Sequence, residues 1–165
     1  MKSNGLLSQL RNIEMLVLDF DGVMTDNRVI VLQDGTEGVI CNRSDGLGIA
    51  KIKQMGIPVI VISTETNPVV TARCNKLGLP CIQGCEHKLS ALRIEAQKLG
   101  INLEQIAYLG NDVNDLECMQ HVGFPACVND AYPDVKKHSV FITRKNGGYG
   151  AVREFCDLLI EAKHE

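Results

Sequence analysis

Residues 15–26 read MLVLDFDGVMTD, a run of apolar residues that breaks off at two aspartates and a glycine. The run has no polar position on either face, which is the pattern of a strand buried on both sides in a helix-covered parallel sheet. Similar runs recur at 58–63 (PVIVIS), 106–110 (IAYLG), 124–128 (FPACV) and 139–143 (SVFIT). Between most of them, over 46–55, 68–77, 88–99 and 113–121, apolar residues return at helical spacing, and 151–162 reads as an amphipathic closing helix. Asn67 before Pro68 has the form of an N-cap followed by proline in the first turn, and Gly56, Gly78 and Gly100 stand where helices should stop. Strands alternating with helices predict an α/β fold with a doubly wound parallel sheet.

One segment breaks the alternation. Residues 28–42 carry RVIVL and GVICN on either side of QDGTE, and the Asp-Gly pair predicts a β-hairpin standing off the main sheet. With 165 residues and 45% hydrophobic content, the chain suits one domain over 1–165, with residues 1–13 as a loosely held N-terminal arm. A net charge of −3 and the absence of basic runs argue against nucleic acid and against a membrane surface, which leaves a small-molecule partner. No stretch has the length of a bilayer span, and the first residues lack a signal-peptide core, so the expected location is the cytoplasm. Seven cysteines are scattered through apolar stretches, which fits reduced, buried thiols. A zinc reading of Cys81, Cys85 and His87 lacks a second ligand pair.

The chemistry is concentrated at strand ends. Alternation along an extended chain makes Asp19 and Asp21 project the same way where the first strand stops, and ligands of open α/β sheets bind at that edge. Two carboxylates about 4 Å apart repel by roughly 4 kcal/mol at an effective dielectric of 20, so the pair calls for a cation or a shared proton. A hard divalent ion with oxygen ligands, magnesium in particular, answers that need. Taken alone, the motif is equally well a turn that ends a strand. Further elements follow in order: Ser63 at the tip of the second strand, Lys88 opening a helix, and GNDVND (110–115) at a later strand tip. Each has a plain reading as a cap, a surface charge or a turn, but the ordered set suits a phosphate site.

These motifs, DFDGVMTD (19–26), Ser63, Lys88 and GNDVND, resemble the four ordered motifs of haloacid dehalogenase phosphatases. NRSDGLGI (42–49), KLSAL (88–92) and NGGYGAVREFCDLLI (146–160) are similar to one subgroup, the phosphatases of 3-deoxy-2-ulosonic acid phosphates, over 14–159. That subgroup takes in octulosonate 8-phosphate and nonulosonate 9-phosphate phosphatases and the C-terminal modules of some acylneuraminate cytidylyltransferases. The resemblance implies a Rossmann-like haloacid dehalogenase fold in which Asp19 attacks phosphorus while Asp21 protonates the leaving oxygen and later activates water. It implies Mg2+ held by Asp19, the Asp21 carbonyl and the GNDVND loop, with Ser63 and Lys88 completing the catalytic set.

At the usual metal-ligating Asp of that loop this chain has Asn111, an uncharged ligand. Asp112 or Asp115 are then candidates for metal support. The cytidylyltransferase modules also resemble this chain in having Asn there, so a weakly active or noncatalytic oligomerisation module stands beside the enzyme reading. Transfer of the phosphoryl group to a sugar rather than water is a further alternative. About forty residues lie between Asp21 and Ser63, too few for a cap domain beyond the hairpin and one helix. The resemblance implies a homotetramer with hairpins packed centrally, a neighbour covering each site, and 146–153 near the entrance. Substrate-binding candidates are Thr64, Glu65, Arg73, Lys76 and Arg43. In the resembled subgroup, octulosonate phosphatases usually carry Arg where Glu65 stands here, which points to a nine-carbon 9-phosphate.

Overall fold

In the computed structural model, which describes residues 2–164, the central sheet has six parallel strands in the order β5-β4-β1-β6-β7-β8. The strands are β1 (Met15–Leu18), β4 (Val59–Ile62), β5 (Cys81–Ile82), β6 (Ile106–Gly110), β7 (Phe124–Cys127) and β8 (Phe141–Ile142). Every residue of β1, β4 and β6 is buried, as their unbroken apolar runs require. The chain order reverses around β1, which pairs with β4 on one side (Val17 opposite Ile60) and β6 on the other (Val17 opposite Tyr108). Such a switch point leaves a crevice at the carboxyl ends of the strands.

Helices α1 (Lys2–Arg11), α2 (Arg43–Gln54) and α7 (Ala151–His164) pack together, with α3 (Val69–Leu77) beside α2. Helices α4 (Lys88–Leu99) and α5 (Leu116–Met119) pack on each other over β4, β6 and β7. Phe155 of α7 lies 5.9 Å from Phe124 and 6.0 Å from Phe141 between ring centroids, so α7 closes the β7–β8 end of the core. Chain reversals at Gly56, Gly78 and Gly100 follow the sequence signals, each with positive φ. Asn67 accepts a hydrogen bond from the Val69 amide at 3.0 Å, so its capping role is as expected with the helix starting one residue later.

Two expectations are corrected, and one helix was not foreseen. Residues 5–13 do not form a loose arm: α1 packs against α7, Leu7, Leu10 and Ile13 are buried, and Lys163 donates to the Arg11 carbonyl at 2.6 Å. The helix expected over 113–121 is a 3-10 turn, Val113–Asp115, followed by the short α5. A further helix, α6 (Pro133–Lys137), had no periodic signal because it spans only five residues.

The hairpin is a separate two-stranded sheet in which β2 (Ile30–Val31) pairs antiparallel with β3 (Glu37–Gly38). Asp34 accepts from the Thr36 amide, and Gly35 takes the left-handed conformation that the turn needs. Val29, Ile30, Val31, Leu32 and Ile40 are between 51% and 64% exposed in the single chain. Among the described residues no helix is long and apolar enough to cross a membrane.

Candidate active site

Asp19 follows β1, its amide donating to the Leu109 carbonyl of β6 at 3.1 Å. The next residues turn sharply, with the Phe20 carbonyl accepting from the amides of Val23, Met24 and Thr25. Gly22 makes that turn possible: its φ is +77°, and a Cβ there would fall 2.0 Å from the Asn111 side-chain nitrogen. Asp19, Asp21, Ser63 and Asn111, from the tips of β1, β4 and β6, converge on a cleft of about 350 Å3, with Thr64 and Asp112 on its walls.

Lys88, at the start of α4, sits behind the cleft floor and is 3% exposed. Its Nζ is 2.9 Å from Asp19 Oδ1 and 2.8 Å from Asp115 Oδ1. Burial works against the Lys88 charge, but Asp19 and Asp115 outweigh it and hold the ammonium above its ordinary value. Asp19 is pushed up to about 8, first by burial and then by Asp115, against the pull of Lys88. A carboxylate so placed needs a further cation to be ionised at neutral pH. Asp21 is half-buried and also raised, by burial first and then by Glu65, so it keeps its proton to higher pH than a free carboxyl does.

Asp115 is tied wholly to protein donors. Its Oδ1 accepts from Lys88 and from the Tyr108 hydroxyl at 2.7 Å, and its Oδ2 from the amides of Asn111 and Asp112. Offered by the sequence as metal support, it lies beneath the loop, shaping it and orienting Lys88. Asp112 accepts from the Val113 amide, opening the 3-10 turn at the cleft wall. Asn111 is 6% exposed, and its Oδ1 is buried with no hydrogen-bond partner. An amide oxygen left bare costs about 1–3 kcal/mol. Asn111 lines the cleft shared with Asp19 and Asp21, so the donor set fits a hard cation. Among the described residues no group of three or more His, Cys, Asp or Glu is placed to hold a metal, Cys81, Cys85 and His87 included.

Ser63 Oγ accepts from the Glu65 amide at 3.1 Å, leaving its own hydrogen free for the cleft. Glu65 accepts from the amides of Thr66 and Asn67, and stands on the wall of a second cavity of about 240 Å3 that adjoins Asp21. The cationic candidates do not reach either cavity. Arg73 turns toward α2 and donates to the Asn42 carbonyl at 3.2 Å, while Arg43 and Lys76 are exposed on α2 and α3. Helix spacing carried no information on which way these side chains turn.

Four residues went unnoticed as site components: Asn27, Arg28, Glu37 and Asn67 line the second cavity. Asn27 has φ +65°, and an Asn closing a DGVMTDN turn was the available signal for it. Glu37 reaches the cavity from the hairpin and accepts from Asn67 Nδ2 at 3.3 Å. The segment 146–150 lies behind the 20–26 turn, with the Gly148 amide donating to the Val23 carbonyl, whereas Arg153 pairs with Asp157 along α7.

Comparison with known proteins agrees with this geometry. A family model described as haloacid dehalogenase-like hydrolase matches residues 82–155. The chain is 37% identical to the 3-deoxy-D-manno-octulosonate 8-phosphate phosphatase KdsC of Escherichia coli K12, over 98% of this chain and 86% of that protein. A haloacid dehalogenase superfamily hydrolase structure from Legionella pneumophila superposes with a TM-score of 0.96 at 35% identity, covering 99% of this chain and 90% of that one. The Moraxella catarrhalis 3-deoxy-D-manno-octulosonate 8-phosphate phosphatase, solved with magnesium, phosphate and its sugar acid, gives 0.94 at 36% identity, covering 98% and 93%. With strand-tip aspartates, a buried lysine and near full-length likeness in agreement, the chain belongs to the haloacid dehalogenase-like hydrolases, among the KdsC-type phosphatases.

Proposed function

We propose that this protein is a magnesium-dependent phosphomonoesterase that removes the terminal phosphate of a 3-deoxy-2-ulosonic acid phosphate through an aspartyl-phosphate intermediate. The observation that carries it is the convergence of Asp19, Asp21, Ser63 and Asn111 on one cleft, with Lys88 against Asp19. Asp19 attacks phosphorus as the ester P–O bond breaks, and Asp21 gives its proton to the departing sugar oxygen. Asp21 then takes a proton from water, whose oxygen attacks the aspartyl phosphate, freeing Asp19 and inorganic phosphate. Ser63 and Lys88 meet the phosphoryl oxygens and the charge on Asp19. Asp19, the Asp21 carbonyl and Asn111 would hold magnesium, which would supply positive charge to a transition state governed mostly by electrostatics. Phosphate release should require magnesium and vanish in Asp19→Asn; activity within tenfold of wild type in that variant would sink the assignment.

Within this class we favour a nine-carbon 9-phosphate. The cavity beside Asp21 carries the carboxylates of Glu37 and Glu65, and Arg28, its cation, is already paired with Asp26 at 2.6 Å. Such a wall accepts hydrogen bonds from hydroxyl or acylamino groups and repels a substrate carboxylate. Comparing kcat/KM for eight- and nine-carbon esters tests the ranking, and Glu65→Arg should shift preference toward the shorter one. A wild-type preference for the octulosonate ester would overturn it. The apolar hairpin supports assembly as a homotetramer, which would bring a neighbour's side chains to a site that lacks a cation for the substrate carboxylate.

A further inference from the structure

We propose that the first turn of α2, through Asn42 and Asp45, positions Asp21 by holding the glycine strap 146–150 against the back of the turn that carries it. The inference rests on the reading of Asp21 as proton donor.

The strap and the turn touch backbone to backbone. A Cβ on Gly147 would come 1.8 Å from the Gly22 carbonyl oxygen, and one on Gly148 would come 2.4 Å from the Asp26 nitrogen. The Gly148 amide donates to the Val23 carbonyl at 3.2 Å. The same turn is braced from within by Thr25, whose hydroxyl accepts from the amides of Gly22 and Asn27, both at 3.1 Å. A close-packed contact of this kind passes a displacement of the strap directly to the turn.

The strap is held from α2. Asn42 Oδ1 caps α2 at the Ser44 amide, and its Nδ2 donates to the Gly148 carbonyl at 3.4 Å. Asp45 is 1% exposed, and its Oδ1 accepts from the Arg153 amide at 2.9 Å, in the first turn of α7. Gly150, which precedes that helix, has no side chain with which to cap it, so the cap comes from another helix. This arrangement leaves Asp45 Oδ2 buried without a hydrogen-bond partner. A Ser or Asp next to α7 would satisfy its amides without burying that oxygen. What a local cap cannot do is tie α2 to the strap.

The test uses two esters in saturating magnesium. A p-nitrophenyl ester departs as a stable anion without a proton, whereas glycerol phosphate needs one from Asp21. Asp45→Ala and Asn42→Ala should lower kcat for glycerol phosphate at least about tenfold more than for the aryl ester, with KM little changed. Asp45→Asn keeps the accepting oxygen and should restore the wild-type ratio. Equal losses on both esters, in variants that fold, mean a merely structural role and overturn the proposal. If Asp45→Ala does not fold, Asn42→Ala carries the comparison. Asp21→Asn separates the two readings: if it discriminates between the esters and the α2 variants do not, the positioning role fails alone. If Asp21→Asn leaves the ratio unchanged, the proton-donor reading fails and the proposal falls with it.

Discussion

The Lys88 ammonium lies 2.9 Å from Oδ1 of Asp19, with both side chains almost sealed from water. Removing one partner of a buried ion pair costs about 3–5 kcal/mol, because the other charge stays behind. Here Asp19 and Asp115 would both be left, so Lys88→Met should lower the melting temperature and reduce kcat by at least about a hundredfold. Chemical denaturation and phosphate release check the two effects separately. A stable variant with normal turnover would remove Lys88 from the mechanism.

Asn111 offers a bare buried amide oxygen where a carboxylate would add a full charge. Asn111→Asp should lower the magnesium concentration for half-maximal rate several-fold. The same substitution adds a third carboxylate near Asp19 and Asp115, so the metal-free protein should become less stable. An unchanged metal dependence would show that Asn111 does not touch the ion.

Asp45 gives a pH signature in stability. Burial raises its carboxyl from 3.8 to about 6, against the hydrogen bond from the Arg153 amide and the charges of Arg73, Lys145 and Arg153. The folded state therefore keeps this proton to higher pH than the unfolded chain does. The associated stability is present below about pH 4 and is lost as pH rises through 6. Asp45→Asn does not titrate, so its stability relative to wild type should rise between pH 4 and 7 by on the order of 3 kcal/mol. Urea denaturation across that range measures it, and parallel curves for the two proteins would contradict the shift.

The hairpin predicts a change in assembly. Val31 is 64% exposed in the single chain, on the hairpin that the proposed tetramer would bury. Val31→Asp should yield monomers with an unaltered melting transition of the core, because the hairpin forms its own small sheet. Light scattering at micromolar concentration decides this, and a monomeric wild type would refute the tetramer.

Local physics made much of this protein legible in the sequence. Runs such as MLVL and VIVI are buried on both sides, and a two-residue alternation sends Asp19 and Asp21 the same way, so the α/β class and the shared cleft of the two aspartates follow from short-range geometry. Asn111 and Ser63 were placed at strand tips by the same argument. Tertiary structure decided everything that depended on a distant partner. The helix α1 forms against α7, and β5 is only two residues long and is defined by its pairing with β4. Asp115 reads as one more acid of the GNDVND loop, yet the fold turns it inward to Lys88 and Tyr108. Arg73 reads as a cation for substrate, yet the contact between α2 and α3 directs it to Asn42. Direction of a helical side chain is set by what the helix packs against, and a single sequence carries the spacing of the residues but not the identity of that neighbour.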